Sequence, residues 1–454
     1  MPLTLKEMRS EVSPMLRIAA PIVLGELGWV TMNVVDIIMV GHLPDSATAI
    51  AAVGFGSNLY IAVTIFGIGL LLGLDTLVAQ SFGRNDVDDC HHTLLSGLYF
   101  TLAFTPVLVA VIWFGWPLIA NSGYDPILIH VTWEYLKALL WSTAPLFLFI
   151  ALRRYLQAMN IVTPVMFALM SANVMNAFGN WVFVYGHLGV RAMGAPGSGW
   201  STCVSRIYMC IFLFVVAVRA DHEHGIRMVQ SFAHRGFMPD VARIIKIARL
   251  GLPAALQLTL EVGVFVAATT LIAKLGAVQL AGNQVALVTV TTTYMVPLGV
   301  SSAAAVRVGQ AFGRHDLAAA RRAGWMAITL GTCFMFCSAI VLWTIPQWIA
   351  RIFTPDAETI AASIPLLAVA AVFQIFDGIQ VVSTGALRGI GDTHSAMFAS
   401  LGAYWVIGLP VGSWLCFSRG MGATGLWVGL CIGLIIVGSG LLLTWHRKMM
   451  IENE

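Results

Sequence analysis

The sequence predicts an all-α integral membrane protein with twelve transmembrane helices in two parallel six-helix repeats. Three observations carry this prediction. Only 10% of the 454 residues are charged and 58% are hydrophobic, against roughly 25% charged in a typical soluble domain, so the chain has too little polar surface to dissolve. Apolar runs of about 20 residues, long enough to cross a bilayer as a helix, recur twelve times between charged or Gly/Pro-rich breaks. Finally, Val78-Ala-Gln-Ser-Phe-Gly-Arg-Asn-Asp86 returns as Val308-Gly-Gln-Ala-Phe-Gly-Arg-His-Asp316. Each copy stands between two long apolar runs, so the repeated unit is a set of membrane spans, an arrangement many secondary transporters use.

In order, the predicted spans are 15–40, 50–79, 93–115, 127–152, 161–185 and 197–218, then 250–273, 279–305, 323–343, 358–385, 394–417 and 421–445. The first run, from Pro14 to about Val40, exceeds the ~7–15 residues of a signal-peptide core and is expected to be retained. Most of the seven cysteines fall inside apolar runs as small hydrophobes. Neither a disulfide framework nor zinc-ligand spacing is evident.

The N-terminal tail, the connections after each even-numbered span and the C-terminal tail hold most of the 25 Lys and Arg. The opposite side holds Arg191, Lys274, Arg351 and Arg419. The positive-inside rule then puts both termini in the cytoplasm of a cell inner (cytoplasmic) membrane protein. With six spans per half, the second half enters the membrane in the same direction as the first. Domain organisation follows: residues 1–218 form an N-terminal lobe, 219–249 a cytoplasmic linker and 250–454 a C-terminal lobe. The basic linker is explained by topology and by contact with anionic lipid heads, without nucleic acid.

Chemistry is expected at ionisable groups lying at membrane depth, because each is costly there unless paired, protonated or wetted. Glu26 and Asp36 in span 1, Glu261 in span 7 and Asp377 in span 10 qualify. Asp36 is ten residues, or about 15 Å of helix rise, beyond Glu26, so the two do not share a site. Asn173, Asn176 and Asn180 form one stripe of span 5. Such a stripe either glues helices together or sets carbonyl oxygens beside a carboxylate, suited to an alkali cation or a titrating Asp. In the second half Gln257 and Glu261 share a helix face. Tyr294, the Thr289 to Thr293 region, Gln374 and Asp377 are candidates to line a wet cavity with them.

Pro21, Val35-Asp36-Ile-Ile-Met-Val-Gly41, Ala51-Ala-Val-Gly54, Ala79-Gln-Ser-Phe-Gly83, Asn176-x3-Asn180-Trp-Val-Phe-Val-Tyr-Gly186 and Gly385-Ala-Leu-Arg-Gly-Ile-Gly-Asp-Thr393 occur in order. Together they resemble the multidrug and toxic compound extrusion (MATE) family over nearly the whole chain, and Glu261 with Asp377 resembles its NorM-type branch. The resemblance implies a MATE-like fold and export of amphiphilic, often cationic small molecules by antiport with Na+ or H+. It implies no cofactor beyond the coupling ion, no enzyme activity and a chain working as a monomer among membrane lipids. It also implies cation coupling through Asp36, Asn176 and Asn180 in one lobe and Glu261 and Asp377 in the other. Glu26, Gln257, Tyr294 and Gln374 are then candidates for the substrate cavity. One departure is Phe373, where NorM-type proteins often carry a tyrosine whose hydroxyl could serve the ion.

Two other classes share parts of this pattern. A lipid-linked precursor flippase of the wider superfamily would have the same spans but a more cationic cavity. A membrane-embedded enzyme would use Glu261 and Asp377 as an acid and base pair. Smaller motifs have plainer readings. Gly389-Ile-Gly-Asp392 falls in a loop, His222, Glu223, His224 and His234 in the linker, and Glu134 with Lys137 at a surface-pair spacing. Gly69-x3-Gly73 and Gly429-x3-Gly433 fit close helix packing. Arg206 in span 6 needs a partner, either in a salt bridge between helices or in a cavity.

Overall fold

The computed structural model describes residues 5–123, 125–223 and 239–451. Among these residues every regular element is a helix, because backbone polar groups in lipid must be satisfied within the segment. The first repeat comprises α1 (Leu5–Val40), α2 (Ser46–Leu70), α3 (Leu72–Gly83), α4 (Val87–Ala120), α5 (Pro126–Trp141), α6 (Thr143–Ala158), α7 (Thr163–Phe183) and α8 (Ala195–Glu223). The second comprises α9 (Val241–Ala273), α10 (Ala277–Gly313), α11 (Leu317–Thr344), the short α12 (Pro346–Phe353), α13 (Ala357–Gly389), α14 (His394–Ser418) and α15 (Ala423–Ile451).

Ten of the described helical stretches are long and apolar enough to cross a membrane, with α2 and α3 counted as one span, Ser46–Gly83. α5 and α6, bent by 45° at Ser142, make an eleventh. The twelfth is α7, 21 residues long, whose three asparagines lower its hydropathy without shortening it. Counted this way, the described helices are consistent with twelve spans of an all-α membrane protein. α8 and α9 run into the 219–249 stretch from either side. The side chains of His222 and Glu223, and all of His224 and His234, lie outside the described residues.

The repeated nonapeptide is a helix-to-helix corner. In the first copy α3 ends at Gly83, Asn85 takes a left-handed conformation (φ 60°), and Asp86 caps α4 by accepting from the Asp89 N–H at 2.9 Å. In the second α10 ends at Gly313, His315 has φ 58°, and Asp316 accepts from the Ala319 N–H at 2.8 Å. The paired backbone bonds match too. Asp86 N to Ser81 O and Asp316 N to Ala311 O are each 3.0 Å, and Asn85 N to Phe82 O and His315 N to Phe312 O are 3.1 and 3.0 Å. This is a Schellman C-cap joined to an N-cap, so the repeat preserves the residues that turn the chain.

The chain divides into two compact units, Leu24–Ala255 and Met1–Val23 with Leu256–Glu454. Within the first, Gly69 meets α9: a side-chain carbon there would lie 2.3 Å from Ala255 Cα. Within the second, Gly299 meets α1, and a carbon there would lie 2.5 Å from Val23 Cγ2. Each unit thus includes the beginning of the other repeat's first helix. Glu11 on α1 pairs with Arg307 on α10 at 2.5 Å, and Arg243 on α9 pairs with Asp89 on α4 at 2.6 Å.

Glycines also bring α14 and α15 together. A side-chain carbon on Gly429 would stand 2.3 Å from Gly412 Cα, and one on Gly433 2.8 Å from Ala403 O. Along this contact α14 is wound more loosely, with i to i+5 bonding, over Leu401–Gly408 and Trp414–Ser418. Such bulges accompany functional positions, and this one carries Tyr404.

Candidate functional site

In the Leu24–Ala255 unit, three helices converge on Asp36, which is 3% exposed. Its Oδ1 accepts from Asn180 Nδ2 at 2.7 Å and Asn176 Nδ2 at 3.0 Å, both on α7, and its Oδ2 accepts from Thr202 Oγ1 on α8 at 2.9 Å. The 3.6-residue period puts Asn176 and Asn180 one turn apart on one face. Ser201 Oγ donates to the Asn176 carbonyl at 2.7 Å and ties α8 to α7 behind the site. Asn173, the third member of the stripe, instead donates to Gly28 O and Leu169 O at 2.9 Å each. It joins α1 to α7 and does not reach the carboxylate.

The donors around Asp36 are amides and a hydroxyl, all neutral. They satisfy its lone pairs and leave its charge. A cavity of about 60 Å³ opens beside it, lined also by Trp29, Met32, Tyr60, Tyr135 and Arg206. Arg206 Nη1 donates to Ser142 Oγ at 2.8 Å, and its guanidinium lies 4.9 Å from the centre of the Tyr60 ring. Its cavity position is therefore shared with Asp36, while its contacts are a hydroxyl and a ring rather than a carboxylate.

Glu26, on the same helix as Asp36, pairs with the buried Arg153 of α6. A further buried acid, Asp75 on α3, pairs with Arg154 at 3.2 Å. Sequence reasoning missed Asp75, whose signal was an acid inside the apolar run Leu70–Ala79. Arg153 and Arg154 also correct the reading of charge: assigned to a connection, they lie buried within α6. Glu26 and Asp75 each have a guanidinium in contact, whereas among the described residues Asp36 has none.

The Leu256–Glu454 portion holds the second cluster. Glu261 Oε1 accepts from Gln380 Nε2 at 2.5 Å, Gln257 Nε2 at 3.0 Å and Ser400 Oγ at 3.1 Å. Tyr404 donates to Gln380 Oε1 at 2.5 Å and orients that amide. Gln380, Ser400 and Tyr404 were not predicted. Gln380 lies three residues beyond Asp377 and so on its side of α13, but only folding brings α14 to the same place. Asp377 is 6% exposed with no hydrogen bond or ion pair among the described residues, and it interacts electrostatically with Glu261.

Gln374 Nε2 donates to Thr293 Oγ1 at 2.7 Å. Of the other threonines, Thr289 and Thr292 bond back to carbonyls one turn earlier in their own helix, a local alternative open to any helical threonine. Tyr294 lies near enough to Tyr404 to interact electrostatically with it. Phe373 is fully buried and packs at 6.0 Å between ring centres against both Phe265 and Trp427. The missing hydroxyl is thus replaced by aromatic packing.

Among the smaller motifs, Glu134 and Lys137 pair at 2.5 Å. Asp392 accepts from Ser395 N at 3.0 Å and Ser395 Oγ at 2.6 Å, and pairs with Lys448 at 2.6 Å. Burial opposes its ionisation, but the bonds from Lys448 and Ser395 and the lysine charge outweigh it and hold its carboxyl below the usual range.

Comparison with known proteins agrees with the doubled architecture. The MatE family matches twice, over residues 21–182 and 253–414, so Pro21 and Pro253 open the matched stretches. A "Probable multidrug resistance protein NorM" from Mesorhizobium japonicum is 35% identical over 97% of this chain and 94% of its own. A protein of the same name from Brucella suis is 31% identical over 96% of this chain and 92% of its own. Among solved structures, the eukaryotic MATE transporter AtDTX14 superposes with a TM-score of 0.85 at 20% identity, covering 98% of this chain and 99% of that one. An outward-facing multidrug resistance MATE family transporter of the MOP superfamily gives 0.83 at 18%, covering 97% and 96%. On the doubled family match and the full-length relatives, this chain belongs to the MatE family of membrane transporters.

Proposed function

We propose that this protein is a multidrug efflux antiporter that exports amphiphilic, often cationic organic compounds across the inner membrane in exchange for Na+ or H+. Both termini are taken as cytoplasmic, from the distribution of basic residues. The single observation that carries the reading is the company kept by the buried acids. Glu26 and Asp75 have arginines in contact, while the hydrogen-bond donors to Asp36 and Glu261 among the described residues are all neutral.

A carboxylate at membrane depth is costly when its charge is not matched. Neutral donors offset part of that cost, and with no guanidinium in contact among the described residues the carboxylate is left for a mobile cation to pair with. Binding of Na+ or H+ at Asp36 then changes the electrostatic energy of the lobe, and a conformation that exposes a bare carboxylate to water gives way to one that buries a neutral pair. If only the loaded and substrate-bound forms cross between conformations, ion entry is exchanged for substrate exit. A monovalent ion moving down ~100 mV gains ~2.3 kcal/mol, enough for roughly 50-fold accumulation. Asp377, with no bonded partner among the described residues and in electrostatic contact with Glu261, is the second group in this scheme whose charge needs a cation.

The test is efflux of a fluorescent organic cation from proteoliposomes, with imposed Na+ and H+ gradients varied independently. Export driven by one gradient, and lost in Asp36→Asn, is expected and names the ion. Movement of the dye independent of both gradients, with folded protein, would overturn the antiport reading.

A further inference from the structure

Arg206 is the charged group of the Asp36 cavity that this coupling scheme leaves unused. Among the described residues lining the cavity, the charges are Asp36 and Arg206, and the remaining titratable groups are Tyr60 and Tyr135. Arg206 is 9% exposed, and among the described residues its guanidinium makes no ion pair. Ser142 and the face of Tyr60 hold it without cancelling its charge. Tyr60 is itself fixed by a bond of 3.1 Å between its hydroxyl and Thr143 Oγ1. Arg206 also lies one turn from Thr202, which donates to Asp36, so one face of α8 delivers both a donor and a positive charge to one site. Its charge acts on the carboxylate without touching it.

Buried arginine elsewhere in this unit behaves differently, since Arg153 and Arg154 are in contact with Glu26 and Asp75. We propose that Arg206 is the resident counter-cation of the Asp36 site. It offsets the carboxylate when the coupling ion is away, and its charge opposes the ion's binding, so that the ion is released as well as taken up. The inference rests on the cation-coupled reading above. The competing role is purely mechanical, with Arg206 a staple for the bend between α5 and α6 at Ser142.

The experiment uses the full-length protein in proteoliposomes and the fluorescent organic cation. External Na+ is titrated at fixed pH and external H+ without Na+, and the half-saturating ion concentration is read. Arg206→Gln is expected to lower that concentration on the order of tenfold, as removal of a like charge in a low-dielectric site would. Arg206→Lys, which keeps the charge but loses the planar fork, is expected to stay near wild type. Ser142→Ala frees the guanidinium toward Asp36 and is expected to raise the half-saturating concentration. An unchanged value in both Arg206→Gln and Ser142→Ala, whatever their maximal rates, overturns the proposal, as does a Lys variant that shifts as far as the Gln variant. If Arg206→Gln does not insert, Ser142→Ala decides alone: a raised value supports the proposal and an unchanged one overturns it. Wild-type export with no ion dependence would instead overturn the antiport reading itself, and this inference with it.

Discussion

Asp36 and Glu261 both sit in the first span of their repeat, yet they are not equivalent. The two MatE matches are offset by 232 residues, 21 to 253 and 182 to 414, and at that offset Asp36 falls on Ala268 and Glu261 on Trp29. Asp36 draws its donors from the fifth and sixth spans. Glu261 draws them from its own helix and from the fourth and fifth. In the N-terminal repeat the fourth span is bent at Ser142, where Arg206 bonds, while in the C-terminal repeat α13 is one helix from Ala357 to Gly389. Aligned on Gly194-Ala-Pro-Gly197 and Gly422-Ala-Thr-Gly425, which open the last span of each repeat, the counterpart of Arg206 is the fully buried Leu434. What the repeats share is backbone geometry: the capped corner, and the glycine that lets another helix approach. These devices tolerate few residues. A buried carboxylate can project from any inward position, so the duplicated frame was free to diverge in chemistry.

Asp36→Asn breaks the comparison most sharply. It is expected to abolish gradient-driven export while the protein still inserts, measured by dye efflux beside a detergent-stability control. Glu261→Gln should reduce the ion-driven rate about tenfold, the size of a typical coupling free energy. Equal loss in the two variants would show the lobes to be interchangeable and remove the asymmetry argued here.

Glu26→Gln has a different signature. It leaves Arg153 buried without its carboxylate, a change that costs about 3–5 kcal/mol. A lowered Tm is expected, with ion dependence of the surviving fraction unchanged. A shifted ion dependence at wild-type Tm would place Glu26 with the coupling residues.

The shared frame is tested by Gly69→Ala and Gly299→Ala. Each adds a carbon within 2.5 Å of the helix it faces and should cost about 1–3 kcal/mol by overpacking. Similar Tm shifts are expected, since the two glycines do the same work in their units. An effect in one alone would show that only one approach is tight.

The smallest effect concerns Asp392. Its carboxyl is held below the usual range, so its pairing adds stability above the unfolded pKa of ~3.9, and that stability is lost as pH falls through the lower folded value. Asp392→Asn should lower Tm slightly at neutral pH, with the difference from wild type vanishing in strong acid. A difference that persists there would assign the effect to lost caps on Ser395 rather than to charge.

The family, the span count and the repeat were all legible in order along the chain, because each rests on local properties. Hydropathy over 20 residues marks a span, and a nine-residue corner marks its repeat. Part of the Asp36 site was legible for the same reason, since Asn176 and Asn180 share a helix face by spacing alone. Asn173 belongs to that spacing as well, and only the packing of α1 turned it toward Gly28. Nothing local separates Glu26 from Asp36, as both are acids in one apolar run. That distinction depends on whether a helix more than a hundred residues away brings a guanidinium or an amide. Gln380, Ser400 and Tyr404 join Glu261 for the same reason, from helices whose register is fixed by glycine contacts and by the looser winding of α14. The sequence by itself determined that acids are buried in a duplicated membrane bundle. Only the tertiary structure decided which of them are already neutralised, because the charge balance of a buried group is set by contacts across the fold.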